Sequence, residues 1–286
     1  MAKNILAEIG VIGGSGLYSM EELSNVRELK VKTPFGRPSD SLIIGSIGGV
    51  QAAFLPRHGR GHKLLPTEIN QPANIWALKS IGVKRLLSVS AVGSLKEDLA
   101  PGDFFFPDQF VDETRLRRST YFGDGAVGHV PLAEPFCMAV SRLMAAEAKK
   151  LGIKTHLGGT YCCMEGPGFS TRAESEYHRR QGYSVIGMTV ATEAKLAREA
   201  GLHYSPVSLV TDYDCWKAGE EVDPVKVIAT LHKNVANILR LLVRAIPLAG
   251  AVPCKAGCDN FNKGALITGE KDIKPALRRS LAVILG

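Results

Sequence analysis

The sequence has 286 residues, of which 45% are hydrophobic and 22% are charged, and this usage excludes an intrinsically disordered or collagen-like chain. Lysine and arginine outnumber aspartate and glutamate by 35 to 28, so the formal net charge is +7 and a nucleic-acid partner has to be considered. No run approaches the roughly 18 apolar residues of a membrane-spanning helix, and the N-terminal apolar run is too short and too glycine-rich for a signal peptide. We therefore expect a cytoplasmic protein without a membrane partner.

Short apolar segments alternate along the chain with longer segments of helical periodicity. Strands are predicted at 9–12, 41–47, 52–55, 85–89, 104–106, 156–163, 184–188 and 205–211. Helices are predicted at 68–80, 134–151, 171–181, 192–200, 224–245 and 274–285. This alternation predicts an α/β fold with a mainly parallel sheet. No linker or repeat divides the chain, so we expect one domain over 1–250 and a C-terminal extension over 251–286 that packs on the same domain.

Three of the predicted strands run into turns that suit an anion. The first turn is Gly13-Gly14-Ser15-Gly16, the second contains Arg57 and His58 in a glycine-rich loop, and the third, at 88–94, contains Ser90. Each turn alone is compatible with an ordinary tight turn or a solvated basic loop, and His58 with His62 could also ligate a metal. Because ligands of parallel sheets bind at the carboxyl ends of strands, the three together favour one shared phosphate site.

The six cysteines are too sparse for an extracellular disulfide framework. Cys254 and Cys258 form a C-x3-C pair with no matching histidine or cysteine pair nearby in the sequence. We interpret them as a reduced thiol pair, with a local disulfide as the alternative. Zinc is only weakly indicated, and we expect no metal.

A second group of residues suggests a pocket for a ring and a sugar. Phe169 follows a predicted strand and could stack on a planar ring, while Met188 ends another strand, although methionine there is more often a core residue. Asp212 and Asp214 lie two residues apart and would point to the same side of an extended segment. Repulsion between them would raise the pKa of at least one, which makes a candidate general acid. A turn or a calcium loop is the alternative, but no EF-hand spacing surrounds them.

Several ordered blocks resemble the 5′-methylthioadenosine phosphorylases, which belong to the trimeric branch of the purine nucleoside phosphorylase superfamily. These blocks are IGGSGLY (12–18), RHGRGH (57–62), INQPANIWALKSIG (69–82), GSLKEDLAPGDFFFPDQFVDET (93–114), HVPLAEPF (129–136), EGPGFSTRAE (165–174), GMT (187–189) and TDYDCW (211–216). The resemblance implies a three-layer α/β/α fold with a mixed central sheet. It implies a pentosyltransferase that converts 5′-methylthioadenosine and phosphate into adenine and 5-methylthioribose 1-phosphate, without a cofactor. It also implies a homotrimer.

The resemblance further implies roles for individual residues. Phosphate would be bound by Ser15, Arg57, His58, Ser90, Ala91 and Thr189. Met188 would lie against the ribose, and Phe169, Ser170 and Tyr213 would line the base pocket. Asp212 would meet purine N7 and Asp214 would hold the 6-amino group, so both are expected to be catalytic. His129 of a neighbouring subunit would reach the alkylthio end near Val227 and Ile228, and Pro224 would lie where the family tunes substrate preference.

Two departures from the family pattern affect substrate preference rather than the reaction. Gly168 stands where the family often has arginine, and Val190-Ala191-Thr192-Glu193 replaces the common Val-Pro-Glu. The alternatives are a phosphorylase of adenosine or of 6-oxopurine nucleosides such as methylthioinosine, and a nucleosidase that uses water. Relatives that act on 6-oxopurines usually present asparagine where this chain has Asp212, so adenine is favoured. A nucleic-acid binder is disfavoured because the basic residues are scattered, with RLRR (115–118) and HRR (178–180) interpreted as solvated faces.

Overall fold

The computed structural model describes residues 5–14, 16–17, 21–220 and 224–286, and only the backbone over 224–228. Its strands are β1 (Ile9–Gly13), β2 (Ser24–Leu29), β3 (Leu42–Ile47), β4 (Val50–Pro56), β5 (Arg85–Ser94), β6 (Phe104–Phe106), β7 (Gln109–Asp112), β8 (Thr155–Leu157), β9 (Thr160–Cys163), β10 (Val185–Gly187) and β11 (His203–Asp212). Its α-helices are α1 (Gln71–Ser80), α2 (Met138–Lys150), α3 (Arg172–Arg180), α4 (Val190–Glu199), α5 (Pro224–Ala249) and α6 (Pro275–Leu285). Within these ranges, no helix combines the length and the apolarity needed to cross a membrane.

The strands form one mixed sheet, which confirms the α/β fold. At its centre β1 lies parallel to β4 and β5, and β5 lies parallel to β11. Antiparallel pairings join β2 to β3, β3 to β4, β10 to β5 and β6 to β11. The mixed sheet is the one that the family resemblance implies, whereas the simple alternation of strands and helices predicted a more uniformly parallel one.

Apolar residues alternate between the two faces of the central strands and so build two cores. On β4, Phe54 belongs to the core beneath α2 and α5, whereas Leu55 belongs to the core beneath α1, α4 and α6. This period of two is what a strand buried on both faces requires. The result is a three-layer arrangement in which the strand ends, rather than the strand faces, are available to a ligand.

Two predicted elements differ from the structure for local reasons. The strand predicted at 156–163 is split into β8 and β9, because Gly158 and Gly159 both adopt positive φ angles of 93° and 109°. Helix α1 begins at Gln71 rather than at residue 68, because the Asn70 side chain accepts a hydrogen bond from the Ala73 amide at 3.2 Å and caps the helix there. The sequence pattern predicts neither β2, whose side chains are largely exposed, nor β7, whose four residues are all half-buried, because neither strand alternates between buried and exposed positions.

The C-terminal segment lies against the rest of the chain. The Trp76 indole on α1 donates to the Ser280 carbonyl on α6 at 3.0 Å. The Arg85 guanidinium on β5 donates to the Val252 carbonyl at 2.9 Å, and Gly128 pairs with Leu266 in an isolated bridge. The division into 1–250 and 251–286 stays a prediction, since these contacts join the two parts rather than separate them.

Candidate active site

A cavity of 560 Å³ lies over the carboxyl-terminal ends of β5 and β11, beside the residues that follow β1, β4 and β10. Nine of the residues singled out in the sequence line it. They are Arg57, His58, Ser90, Ala91, Phe169, Met188, Thr189, Asp212 and Asp214. The cavity thus joins the predicted anion site to the predicted ring and sugar pocket.

The other predicted site residues have different positions. Ser15 lies outside the described residues, as do the side chains of Pro224, Val227 and Ile228. Ser170, Tyr213 and His129 are absent from the described lining of the cavity. Tyr213 is buried beneath the Lys217 ammonium, which lies 3.7 Å from its ring centroid. His129 is exposed, and its backbone amide donates to the Ala265 carbonyl at 2.9 Å.

Arg57 is held in place by a buried hydrogen-bond network centred on Glu193. Its side chain is 2% exposed, and its Nε donates to Glu193 Oε1 at 2.5 Å. Its Nη1 donates to the Val89 carbonyl and its Nη2 to Ser88 Oγ, both at 2.8 Å. Nη1 carries a second hydrogen that these bonds do not use, and Arg57 lines the cavity. Arg57 therefore presents a fixed edge of its guanidinium to the site.

The ring of His58 is neutral in the ligand-free protein. Burial lowers its pKa to about 4. The nearby Arg57 and His62 also lower this pKa, whereas the hydrogen bond to the Leu64 carbonyl raises it. Its Nδ1 lies 2.8 Å from the Leu64 carbonyl, which needs a donor, so the ring proton belongs on Nδ1. Nε2 is then an acceptor. The predicted role of His58 as an anion donor therefore requires protonation of Nε2, whereas the neutral ring can accept a hydrogen bond from a protonated phosphate oxygen.

Two hydroxyl groups at the cavity are buried and have no hydrogen-bond partner among the described residues. These are Ser90 Oγ and Thr189 Oγ1. Thr189 is the N-cap of α4 but makes no capping bond with its side chain, so its hydroxyl remains available to an anion at the positive end of that helix. Unpaired buried hydroxyls are costly. An anion bound in the cavity would satisfy both.

Removing the Thr189 hydroxyl should weaken phosphate binding. A hydrogen bond to a charged group contributes about 1.5–3 kcal/mol, so we expect Thr189→Val to raise the KM for phosphate by roughly 10- to 100-fold. The matched control is Thr155→Val on β8, because Thr155 Oγ1 is likewise buried and unpaired but lies away from the cavity. Initial rates at varied phosphate concentration measure the effect. Equal KM values in the two variants would contradict this role for Thr189.

Asp212 is the last residue of β11, and Asp214 lies two positions further along the chain. Asp212 Oδ1 accepts the Asp214 amide at 2.8 Å, and its Oδ2 accepts the Thr211 hydroxyl at 2.7 Å. Burial raises the pKa of Asp212, and the charge of Asp214 raises it further, against the effect of these two hydrogen bonds. Asp214 is buried, and its Oδ2 has no partner within the described part of the chain. Asp212, whose pKa is raised, is thus a candidate proton donor, and Asp214 offers an available acceptor beside it.

One supporting arginine, Arg117, lies behind the Met188 side of the cavity and is not indicated by any of the sequence motifs. Arg117 donates through Nη1 to the Met188 carbonyl and through Nη2 to the Glu165 carbonyl at 2.6 Å. Its side chain is only 3% exposed, so the interpretation of RLRR as a solvated face was wrong for Arg117. His178, in the second basic cluster, is buried as well. Charge alone could not reveal this, because the acceptors are the Glu165 carboxylate and the Glu165 and Met188 carbonyls, about 50 and 70 residues away along the chain.

The ring side of the cavity is more open than the anion side. Phe169 is 68% exposed although it lines the cavity, so its ring is available to a ligand or to another chain. A Cβ on the neighbouring Gly168 would meet no atom within 4 Å. A hydrophobic face beside open space suits a planar ring.

Comparison with known proteins gives consistent results over nearly the whole chain. A sequence model of the phosphorylase superfamily matches residues 8–247. An S-methyl-5′-thioadenosine phosphorylase of Geobacter sulfurreducens is 49% identical over 283 residues, which are 97% of this chain and 98% of that protein. One from Hyperthermus butylicus is 48% identical over 256 residues, which are 89% of this chain and 93% of that protein.

Solved structures agree with these sequence matches. A methylthioadenosine phosphorylase from an antarctic soil metagenomic library has a TM-score of 0.94 at 44% identity, covering 99% of this chain and 100% of that chain. A methylthioadenosine phosphorylase of Schistosoma mansoni in complex with adenine has a TM-score of 0.85 at 37% identity, covering 91% of this chain and 98% of that chain.

Proposed function

The chain belongs to the phosphorylase superfamily, and from this premise we propose that it catalyses the phosphorolysis of S-methyl-5′-thioadenosine. The products are adenine and 5-methylthioribose 1-phosphate, so the enzyme is a pentosyltransferase. Relatives named for this activity match nearly all of the chain. Phosphate is a substrate, and the proposed reaction needs no cofactor.

One observation carries this proposal: a single cavity holds both unpaired anion-binding hydroxyls and a carboxyl of raised pKa. Ser90 and Thr189 line the cavity with hydroxyls that suit an anion, and Asp212, which pairs with Gly93 three residues beyond Ser90, lines it as well. A nucleoside placed between them would present C1′ to the phosphate and its base to the carboxyl. This is the arrangement that displacement at C1′ by phosphate needs.

The reaction forms a bond between a phosphate oxygen and C1′ while the bond from C1′ to N9 breaks. The electron pair of that bond passes into the purine, and Asp212 delivers its proton to N7. The sugar is cationic in the transition state, and the negative charge of the phosphate stabilises it. Arg57, whose position Glu193 fixes, orients the phosphate.

The acceptor on Asp214 supports an adenine base over a 6-oxopurine. Its Oδ2 is buried and has no partner among the described residues, so it suits a donor such as an exocyclic amino group. A 6-oxo group would place a second acceptor nearby and leave both unpaired, which costs about 1–3 kcal/mol. We therefore place the 6-amino group of adenine towards Asp214, with the base near Phe169.

The decisive assay measures release of the free base from S-methyl-5′-thioadenosine, adenosine and inosine, each with and without phosphate. We expect adenine from S-methyl-5′-thioadenosine only when phosphate is present, with formation of the sugar 1-phosphate in equal amount. Base release that does not depend on phosphate would identify a nucleosidase instead. A higher kcat/KM for inosine than for adenosine would assign the site to 6-oxopurines.

We also propose that the chain forms a homotrimer in which His129 enters the site of a neighbouring subunit. His129 is exposed and does not line its own cavity in the described structure. Co-expression of His129→Ala with Asp212→Asn tests this. Mixed trimers would contain some sites with both residues intact, so their activity should exceed that of either variant alone. A monomeric mass, or no recovered activity, would contradict the arrangement.

A further inference from the structure

Four side chains converge at the end of β11 opposite the cavity, and we propose that they bind one zinc ion. They are Cys137, His203, Cys254 and Cys258. From the sequence, Cys254 and Cys258 lacked a second pair of ligands. The fold supplies that pair from distant parts of the chain. Cys137, more than 110 positions before Cys254, lies immediately before α2, and His203, more than 50 positions before Cys254, begins β11.

The distances among the four side chains match a tetrahedral site. Cys137 Sγ lies 3.7 Å from Cys254 Sγ and 3.5 Å from His203 Nδ1, and Cys254 Sγ lies 3.5 Å from Cys258 Sγ. All four ligand atoms lie within 4.8 Å of one another. Zinc with bonds of about 2.3 Å to sulfur and about 2.0–2.1 Å to nitrogen would separate sulfur pairs by about 3.8 Å and sulfur from nitrogen by about 3.6 Å. Small adjustments would therefore complete the coordination.

The local backbone holds the ligands in these positions. The Cys137 amide donates to the Tyr204 carbonyl at 2.8 Å, which fixes Cys137 beside His203. Between the other two cysteines, Gly257 adopts a φ of +64°, and its amide donates to the Cys254 carbonyl at 3.2 Å. This tight turn brings both thiols to the same side. A residue with a Cβ would be strained at that φ.

Groups around the four ligands suit an anionic metal centre. Three thiolates and one neutral imidazole around a divalent ion leave a net charge of −1. Arg198 is 2% exposed, and its Nε and Nη1 have no hydrogen-bond partner among the described residues. Its guanidinium interacts with Cys258 and stacks 3.9 Å from the Phe261 ring centroid. The buried Arg198 thus offers a compensating positive charge and free donors for thiolate sulfur.

The second nitrogen of the imidazole also has a suitable neighbour. His203 Nε2 lies 4.0 Å from Asp259 Oδ1, and a metal-bound histidine usually donates its other N–H to a carboxylate or carbonyl. A short movement of Asp259, which is exposed, would form that bond. With Nδ1 on the metal and Nε2 towards Asp259, the tautomer of His203 is defined.

The ligand set selects zinc and a structural role. Soft thiolates with one imidazole in tetrahedral array suit zinc, whereas calcium and magnesium require oxygen ligands. Four protein ligands leave no open position for a substrate. The ten residues of β11 separate His203 from Asp212 by about 30 Å, so the ion would take no part in phosphorolysis.

A bound ion would fasten the C-terminal segment to the core. Cys254 and Cys258 belong to that segment, whereas Cys137 and His203 belong to the central layers. The same segment supports the loop of His129 through the Ala265 carbonyl. Loss of the ion should therefore lower thermal stability before it changes the cavity.

The test uses the full-length protein purified without a polyhistidine tag from zinc-supplemented medium, with metal content measured after dialysis against EDTA. We expect about one zinc per chain in the wild type and in Cys215→Ser, a thiol-loss control for metal content. Cys258→Ser and His203→Ala should retain less than roughly one tenth of that and melt about 5–10 °C lower. His203→Cys should restore binding, because it keeps four ligands.

Two measurements on the wild type decide the matter even if the variants fail to fold. Protein expressed with cobalt should show the visible absorption of a tetrahedral thiolate site, and titration with a mercurial should release zinc in step with thiol modification. Wild-type protein without zinc would overturn the proposal. A disulfide, seen under non-reducing conditions as an intact mass lower by two hydrogens, would also overturn it. So would a zinc content in Cys258→Ser and His203→Ala equal to that of the wild type.

Discussion

Replacing Asp212 with asparagine should lower kcat for S-methyl-5′-thioadenosine by about 100- to 10,000-fold, the range for loss of a positioned general acid. Asparagine has nearly the same shape but carries no acidic proton for N7. Its carbonyl can still accept the Asp214 amide. The Thr211 hydroxyl, 3.2 Å from the Val92 carbonyl, can donate there and accept from the new amide. The local structure should therefore persist while the proton transfer is lost.

Steady-state rates for the Asp212→Asn variant should be compared with those of Asp98→Asn, which removes the same charge at an exposed position. The KM for phosphate should change little in both, because Asp212 is not expected to contact the anion. The variant should also lose the pH dependence of kcat/KM that titration of Asp212 produces. In the wild type we expect kcat/KM to fall as pH rises through the raised pKa of Asp212, because the acid form of its carboxyl is then lost. An unchanged kcat would remove Asp212 from the acid role.

The same substitution tests base preference. Asparagine can donate to a 6-oxopurine, so the ratio of kcat/KM for adenosine to that for inosine should fall in Asp212→Asn. Since Asp214 remains as an acceptor for the amino group, the fall measures what Asp212 alone contributes to the choice of base. A ratio that stays constant would mean that base preference depends on other residues.

The positions of the cavity-lining residues could be predicted because they follow strands, and strand ends meet at one edge of a sheet. Arg57, Ser90 and Asp212 are each adjacent in sequence to a recognisable apolar strand. Their supporting partners could not be predicted in this way. Glu193 lies on α4, and its pairing with Arg57 joins residues 136 positions apart, which periodicity cannot show.

The cysteine cluster illustrates the same limit. Cys254 and Cys258 are a visible pair in the sequence, but Cys137 and His203 are single residues at the start of a helix and of a strand. The four side chains meet only because β11 pairs in parallel with β5 and the C-terminal segment packs against the start of β11. Local signals thus identify elements and their ends, whereas buried polar clusters depend on long-range topology.

Replacing Glu193 with glutamine should lower the free energy of unfolding by about 3–5 kcal/mol, the usual cost of leaving a buried charge without its partner. Glu193 is fully buried and accepts hydrogen bonds from Arg57, from Ser88 Oγ at 2.7 Å and from the Tyr204 hydroxyl at 2.8 Å. Glutamine keeps the volume but removes the charge, and it points an amide donor towards groups that already donate. Arg57 would then be a buried cation with no counter-charge.

Thermal and denaturant unfolding at one fixed protein concentration measure this loss, and Glu176→Gln is the matched control. Glu176 pairs with Arg179 at 4.0 Å on the exposed side of α3, and such surface pairs contribute about 0–1 kcal/mol. The double variant Arg57→Met/Glu193→Leu should recover part of the lost stability, because apolar side chains of similar volume can replace a buried pair. Equal unfolding midpoints for Glu193→Gln and Glu176→Gln would show that the buried pair does not stabilise the fold, and that Arg57 is held by its backbone and hydroxyl partners alone.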